Sequence, residues 1–97
     1  MSTTPDNVHL SSNHRDTLAK LFEHPLSHNI EWQAVLSLLE AVGSVERHHD
    51  GAYVVTVGKE TETFRRPRSK DIDAQEVIDV RRMLANAGFG PETAKVT

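Results

Sequence analysis

The 97-residue chain has no cysteine. That excludes a disulfide scaffold, a Cys-ligated zinc site and a thiol nucleophile. Only five residues are aromatic, so a core has to be built mainly from aliphatic side chains. No apolar run approaches the roughly 20 residues of a membrane-spanning helix. The opening Met1-Ser2-Thr3-Thr4-Pro5-Asp6 has neither the basic start nor the apolar stretch of a signal peptide, so a cytoplasmic setting away from membranes is expected. An excess of positive charge is lacking too. The net charge of −3 argues against a protein that binds nucleic acid over its whole surface. Nucleophile motifs, glycine-rich phosphate loops and paired catalytic carboxylates are all missing, which leaves an ordinary hydrolase without support. His24 and His28 flank a helix-ending proline, and no His/Asp/Glu set has familiar ligand spacing; neither metal nor cofactor is expected.

With 37% hydrophobic and 26% charged residues the chain is too apolar to be disordered. At about 100–200 residues per domain it has room for one. Residues 1–13 are polar and aperiodic and read as a tail, 14–89 as the folded domain, and 90–97 as a second tail.

Hydrophobic spacing predicts three helices. The first runs from His14 to His24, with Leu18, Leu21 and Phe22 on one side, Ser12 or Asn13 as cap and Pro25 as stop. The second carries Trp32, Val35, Leu36, Leu39 and Val42 on one face, is capped by Asn29 and ends at a left-handed Gly43. Trp32 reads as a core anchor. The third starts at Asp73, with Glu76 completing a capping box and Ile72 and Val77 a hydrophobic staple. Its stripe is Val77, Val80, Leu84 and Ala87, and Gly88 closes it. Three strands lie between the second and third helices, at 44–49, 52–57 and 60–66, ended by Pro67. The order α-α-β-β-β-α implies a two-layer α+β sandwich: a three-stranded antiparallel sheet with helices on one face.

A two-residue type I′ turn at Asp50-Gly51 would set His48 opposite Tyr53 and Val45 opposite Thr56. Val45, Arg47, His49, Ala52, Val54 and Thr56 then share one face. Glu46, His48, Tyr53, Val55 and Val57 share the other. Neither set is cleanly apolar. The first is expected inward, with a three-residue second turn placing Phe64 opposite Val54. Tyr53, Val55 and Val57 would then form an open apolar surface for a protein partner or a second copy of the chain.

Charge is concentrated at one place. Arg65, Arg66, Arg68 and Lys70 put four positive charges within six residues, while the remaining seven basic residues are outnumbered by fourteen acidic ones. Such a run is either a solvated loop paired with neighbouring acids or a phosphate-facing patch.

The segment Ala41-Val42-Gly43, the turn glycine Gly51, Arg66-Pro67 and the stretch from Ile72 to Phe89 resemble the HicA toxins of bacterial toxin–antitoxin systems. The run Asn29-Ile30-Glu31-Trp32 is similar to a HicA-like subgroup with an extra N-terminal helix. The likeness spans roughly Arg15 to Phe89. It implies a double-stranded-RNA-binding-like fold, metal-independent endoribonuclease activity on messenger RNA, and an antitoxin-like protein partner. With RNA as the ligand, the phosphate-facing reading of the charge run places the contacts at Arg65, Arg66, Arg68 and Lys70. The chain departs from the family at the active site. Where HicA toxins have Gly-Ser-His-His, it has Gly51-Ala52-Tyr53-Val54, so the catalytic histidine has no counterpart at Tyr53. With His48 opposite Tyr53, an imidazole would remain beside the lost position as base or acid, and Arg65 or Arg66 would stabilise the phosphorane charge. Catalysis by His48 and Tyr53 and a non-catalytic binding module are the two alternatives.

Overall fold

The computed structural model describes residues 10–23 and 29–90. Helices α1 (Ser12–Leu21) and α2 (Trp32–Val42) are followed by strands β1 (Ser44–Arg47), β2 (Ala52–Val57) and β3 (Glu60–Arg65), then helix α3 (Ala74–Asn86). The sheet is antiparallel in the order β1-β2-β3. One cluster of buried residues joins all three helices to the inner face of the sheet. The expected α+β order is therefore the observed one. Among the described residues no helix is long and apolar enough to cross a membrane.

Local chemistry sets the helix ends. Ser11, not Ser12 or Asn13, caps α1: its hydroxyl accepts from the His14 amide, and the His14 ring accepts from the Ser11 amide. The tail assigned to 1–13 thus runs two residues into capped helix. At its other end α1 stops at Leu21, short of His24. Pro25 and the His24–His28 pair lie outside the described residues. The guanidinium of Arg81 donates to the Leu21 carbonyl at 2.7 Å and the Glu23 carbonyl at 3.2 Å, occupying acceptors that a helix end leaves free. Helix α3 has the expected capping box between Asp73 and Glu76. It closes in a Schellman turn: Phe89 N–H donates to Leu84, Gly88 N–H donates to Ala85, and Gly88 has φ +97°.

Most of the predicted stripe residues are buried, while Phe22, Val42 and Ala87 are half-buried against the edge of the core. Leu18 and Leu21 of α1, Trp32, Val35, Leu36 and Leu39 of α2, and Val77, Val80 and Leu84 of α3 all lie in the core. Leu38 and Met83 are buried as well. A helix covered on two sides needs a wider apolar arc than one stripe, and α2 packs on both α1 and the sheet.

The sheet departs from expectation by one residue. Arg47 pairs with Tyr53, Val45 with Val55 and Ser44 with Thr56, while the His48 amide donates to the Ala52 carbonyl. The loop is therefore three residues, His49-Asp50-Gly51. Gly51 has φ +88°, and among the described residues no non-glycine has positive φ. A type I′ turn needs positive φ at both central positions. With Asp50 excluded, the chain takes a type I turn closed by a left-handed glycine. The second turn is the shorter one, Gly58-Lys59, with Val57 opposite Glu60 and Phe64 opposite Tyr53.

A one-residue shift exchanges the faces of a strand. The inner face holds Val45, Tyr53, Val55, Val57 and Phe64; Val55, Val57 and Phe64 are fully or nearly fully buried. The open partner surface expected from Tyr53, Val55 and Val57 is thus the core side of the sheet. The outer face carries Ser44, Glu46, His48, Val54, Thr56, Thr61, Thr63 and Arg65, mostly polar. Two carboxylates obscure this choice in the sequence. Glu60 and Glu62 point inward at the sheet edge, where they meet Asn86 and Arg82 of α3.

Gly43 also ends α2 for a different reason from the one expected. Its φ is −159°, extended rather than left-handed. A Cβ there would lie 2.0 Å from the Thr56 carbonyl oxygen of β2. Glycine is needed for close approach of backbone to backbone. Gly43→Ala is expected to lower stability by about 2–3 kcal/mol, the range of overpacking. Chemical denaturation checks this, and a variant within error of wild type would contradict the contact.

Burial raises the pKa of the Glu76 carboxyl above its ordinary value of 4.5; the charges of Asp73 and Asp79 add to this, while the hydrogen bond from the Asp73 amide opposes it. A carboxyl raised in the folded state favours folding below its unfolded value and loses that contribution as pH rises through the folded one. Glutamine keeps the capping geometry without the charge. Glu76→Gln should therefore gain on wild type in Tm between pH 4 and pH 7; the opposite trend would refute the assignment.

Candidate nucleic-acid interface

The turn end of the sheet brings together segments distant in sequence. After β3 the chain runs through Arg66-Pro67-Arg68-Ser69-Lys70 and then pairs, over one antiparallel bridge between Glu31 and Asp71, with the entry to α2. Trp32 N–H donates to the Lys70 carbonyl at 2.8 Å, and Ile72 N–H donates to the Ile30 carbonyl at 2.9 Å. These bonds hold the basic loop against the first turn of α2. Between them lies a cleft of about 240 Å3, lined by Glu31, Trp32 and Gln33 on one wall and by residues 66–70 on the other.

The four cations expected to act together divide in two. Arg65 sits at the end of β3 on the outer face. It donates to the Asp50 carbonyl at 3.2 Å and pairs with the Asp50 carboxylate at 3.8 Å, tying β3 to the β1–β2 turn. Asp50 Oδ1 also accepts from the Ala52 amide, so Asp50 anchors the turn from both sides. Arg66, Arg68 and Lys70 make no side-chain hydrogen bond or ion pair among the described residues, and all three are exposed. The loop is therefore not neutralised by its neighbours. Of the two readings of the charge run, pairing with nearby acids applies to Arg65 alone.

The expected meeting of His48 and Tyr53 does not occur. Tyr53 faces inward, with its ring edge-on to Trp32 at 5.3 Å and Arg47 over its face at 5.8 Å. His48 stands on the outer face opposite Ala52, which is itself opposite Arg65. The register thus makes a row His48–Ala52–Arg65 across the outer face, with the small Ala52 in the middle. Glu46 lies on the same face, 3.4 Å from His48 Nε2.

The spacing of residues does not disclose Glu31 and Gln33 as walls of the cleft, because the bridge joins positions 40 apart. Trp32 is the core anchor expected, 2% exposed, and it also lines the cleft. The N-cap of α2 is Glu31, whose side chain makes no cap bond; Asn29, the expected cap, lies two residues before it. Two buried polar atoms at this junction have no hydrogen-bond partner among the described residues, the indole N–H of Trp32 and Oδ1 of Asp71.

A larger groove of about 450 Å3 runs between α1 and α2, where His14 Nε2 lies 2.8 Å from Ser37 Oγ. This pair resembles a base and nucleophile only in composition. Nδ1 of His14 accepts from the Ser11 amide. The ring proton is then on Nε2, which donates to Ser37 and leaves its hydroxyl unactivated. Among the described residues no group of three or more His, Asp or Glu side chains is placed to hold a metal ion.

No family model, curated protein or solved structure matches this chain.

The separation of His48 from Tyr53 has a measurable consequence. His48→Ala, at an exposed position, should change stability by no more than about 0.5 kcal/mol. Tyr53→Ala removes the ring against Trp32 and should cost about 2 kcal/mol or more. Equal, large losses from both would place the two residues in one cluster and contradict the register.

Proposed function

We propose that the chain binds RNA through the phosphate backbone, using Arg66, Arg68 and Lys70 as the principal contacts, on a fold of the double-stranded-RNA-binding-like kind to which the HicA resemblance points. The observation that carries this reading is the absence of counter-charges. Three cations are held at the rim of a cleft, tethered by backbone hydrogen bonds and unpaired among the described residues. Cations without protein partners are available to displace counterions from phosphate, the main sequence-independent source of affinity for nucleic acid. The acidic remainder of the chain confines binding to this end and keeps affinity modest.

Binding is measured by anisotropy of a labelled single-stranded RNA over a range of salt. Three phosphate contacts predict that log K falls with log salt at a slope of about −2. Arg66→Ala with Arg68→Ala should weaken binding and make the slope shallower by about 1.4, since each cation on a single strand accounts for about 0.7. Arg65 is left intact because its loss would also loosen the turn held by Asp50. A folded double variant with unchanged affinity and slope would overturn the proposal.

The His48–Ala52–Arg65 row supports a second reading, cleavage of the bound RNA. His48, beside Glu46, would take the 2′-hydroxyl proton as the 2′-oxygen attacks phosphorus and, as imidazolium, return it to the 5′-oxygen that leaves, while Arg65 would face the phosphorane charge. The expected sign is chelator-resistant cleavage leaving 2′,3′-cyclic phosphate ends, abolished in His48→Ala. Cleavage that persists in that variant would remove His48 from the reaction.

A further inference from the structure

We infer that the cleft between α2 and the basic loop binds a terminal phosphate of RNA, a phosphomonoester rather than an internal diester; this rests on the RNA-binding reading above. The segments that form its two walls are joined by the Trp32–Lys70 and Ile72–Ile30 backbone bonds, which hold them at a fixed separation. At about 240 Å3 it is smaller than the roughly 300–1,000 Å3 that holds a drug-sized ligand, which suits one small group. Arg66, Arg68 and Lys70 supply three positive charges unpaired among the described residues. A phosphomonoester carries about −1.5 to −2 at neutral pH and offers three terminal oxygens, a closer match to three cations than the single charge of a diester.

The opposite wall is the start of α2, which brings the positive pole of an 11-residue helix to this end; the Trp32 amide there is already taken by the Lys70 carbonyl. Trp32 lines the cleft and is 2% exposed; its indole N–H is buried, with no hydrogen-bond partner among the described residues, so the ring reports on the cleft without adding a donor to it. Glu31 lines the same wall and opposes an anion. Its carboxylate makes no cap bond, so neutralising it removes repulsion without removing a structural contact.

The test uses three RNAs of one sequence, bearing a 5′-phosphate, a 3′-phosphate or hydroxyls at both ends. Trp32 is the sole tryptophan of the chain, so its fluorescence reports on the cleft directly. Expected are a preference of about tenfold for one phosphorylated end, from added charge-assisted hydrogen bonds, and a change in Trp32 emission with that RNA and with inorganic phosphate. Arg68→Ala with Lys70→Ala should abolish the preference, and Glu31→Gln should increase it. Circular dichroism confirms that both variants are folded. Equal binding of all three RNAs by wild type overturns the end site while leaving RNA binding intact. Failure to bind any RNA, with Trp32 still responding to inorganic phosphate, overturns the RNA reading and hence the source assigned to the phosphate. No response to any ligand overturns both.

Discussion

The turn between β1 and β2 decides more of this structure than its size suggests. One hydrogen bond, from the Gly51 amide to the His48 carbonyl at 3.1 Å, closes it. Within this turn only Gly51 takes positive φ, so the loop has three residues and β1 is set in its observed register. The register puts Val45, Arg47 and Tyr53 on the inner face and Glu46 and His48 on the outer. A loop one residue shorter would turn each β1 side chain over. Arg65 and Asp50 then bind the turn to the end of β3, so the same device shapes the outer surface.

The second constraint is the Glu31–Asp71 bridge. It consists of two short backbone bonds, yet it converts an exposed basic loop into the wall of a cleft. Without it, Arg66, Arg68 and Lys70 would be flexible side chains on a mobile connection, and each would lose more entropy on binding phosphate. With it, the loop backbone is tethered to α2, which in turn is anchored in the core by Trp32, Val35 and Leu39. Packing energy in the core thus positions charge at the surface. The cleft also gathers a cost: Glu31 stands among the cations, and Asp71 and Trp32 keep buried polar atoms unsatisfied.

Helix termini are legible in the sequence because their determinants are local. Asp73 with Glu76 and Gly88 before Phe89 lie within one or two turns of the groups they satisfy. The apolar stripes are legible for the same reason. The sheet faces are not. Strand β2 reads Ala-Tyr-Val-Val-Thr-Val, apolar on both sides, and Glu60 and Glu62 disguise the inner face of β3 because their partners Asn86 and Arg82 sit on a distant helix. Gly43 reads as a helix stop, but the close approach that demands glycine there comes from Thr56 across the sheet.

The basic cluster is readable as a cluster, since four charges in six residues need no fold to be counted. Whether they are neutralised is not, because ion pairing depends on which acids the chain brings near. By itself, then, the sequence determined the element order, the α+β class, both ends of the third helix and the place of excess positive charge, all set by interactions within a few residues. Tertiary structure alone decided which face of the sheet is buried, that His48 and Tyr53 lie apart, that Arg65 is paired while Arg66, Arg68 and Lys70 are not, and that a cleft exists. Each of these depends on a contact between distant segments, or on the sign of a single φ angle that residue identity leaves open.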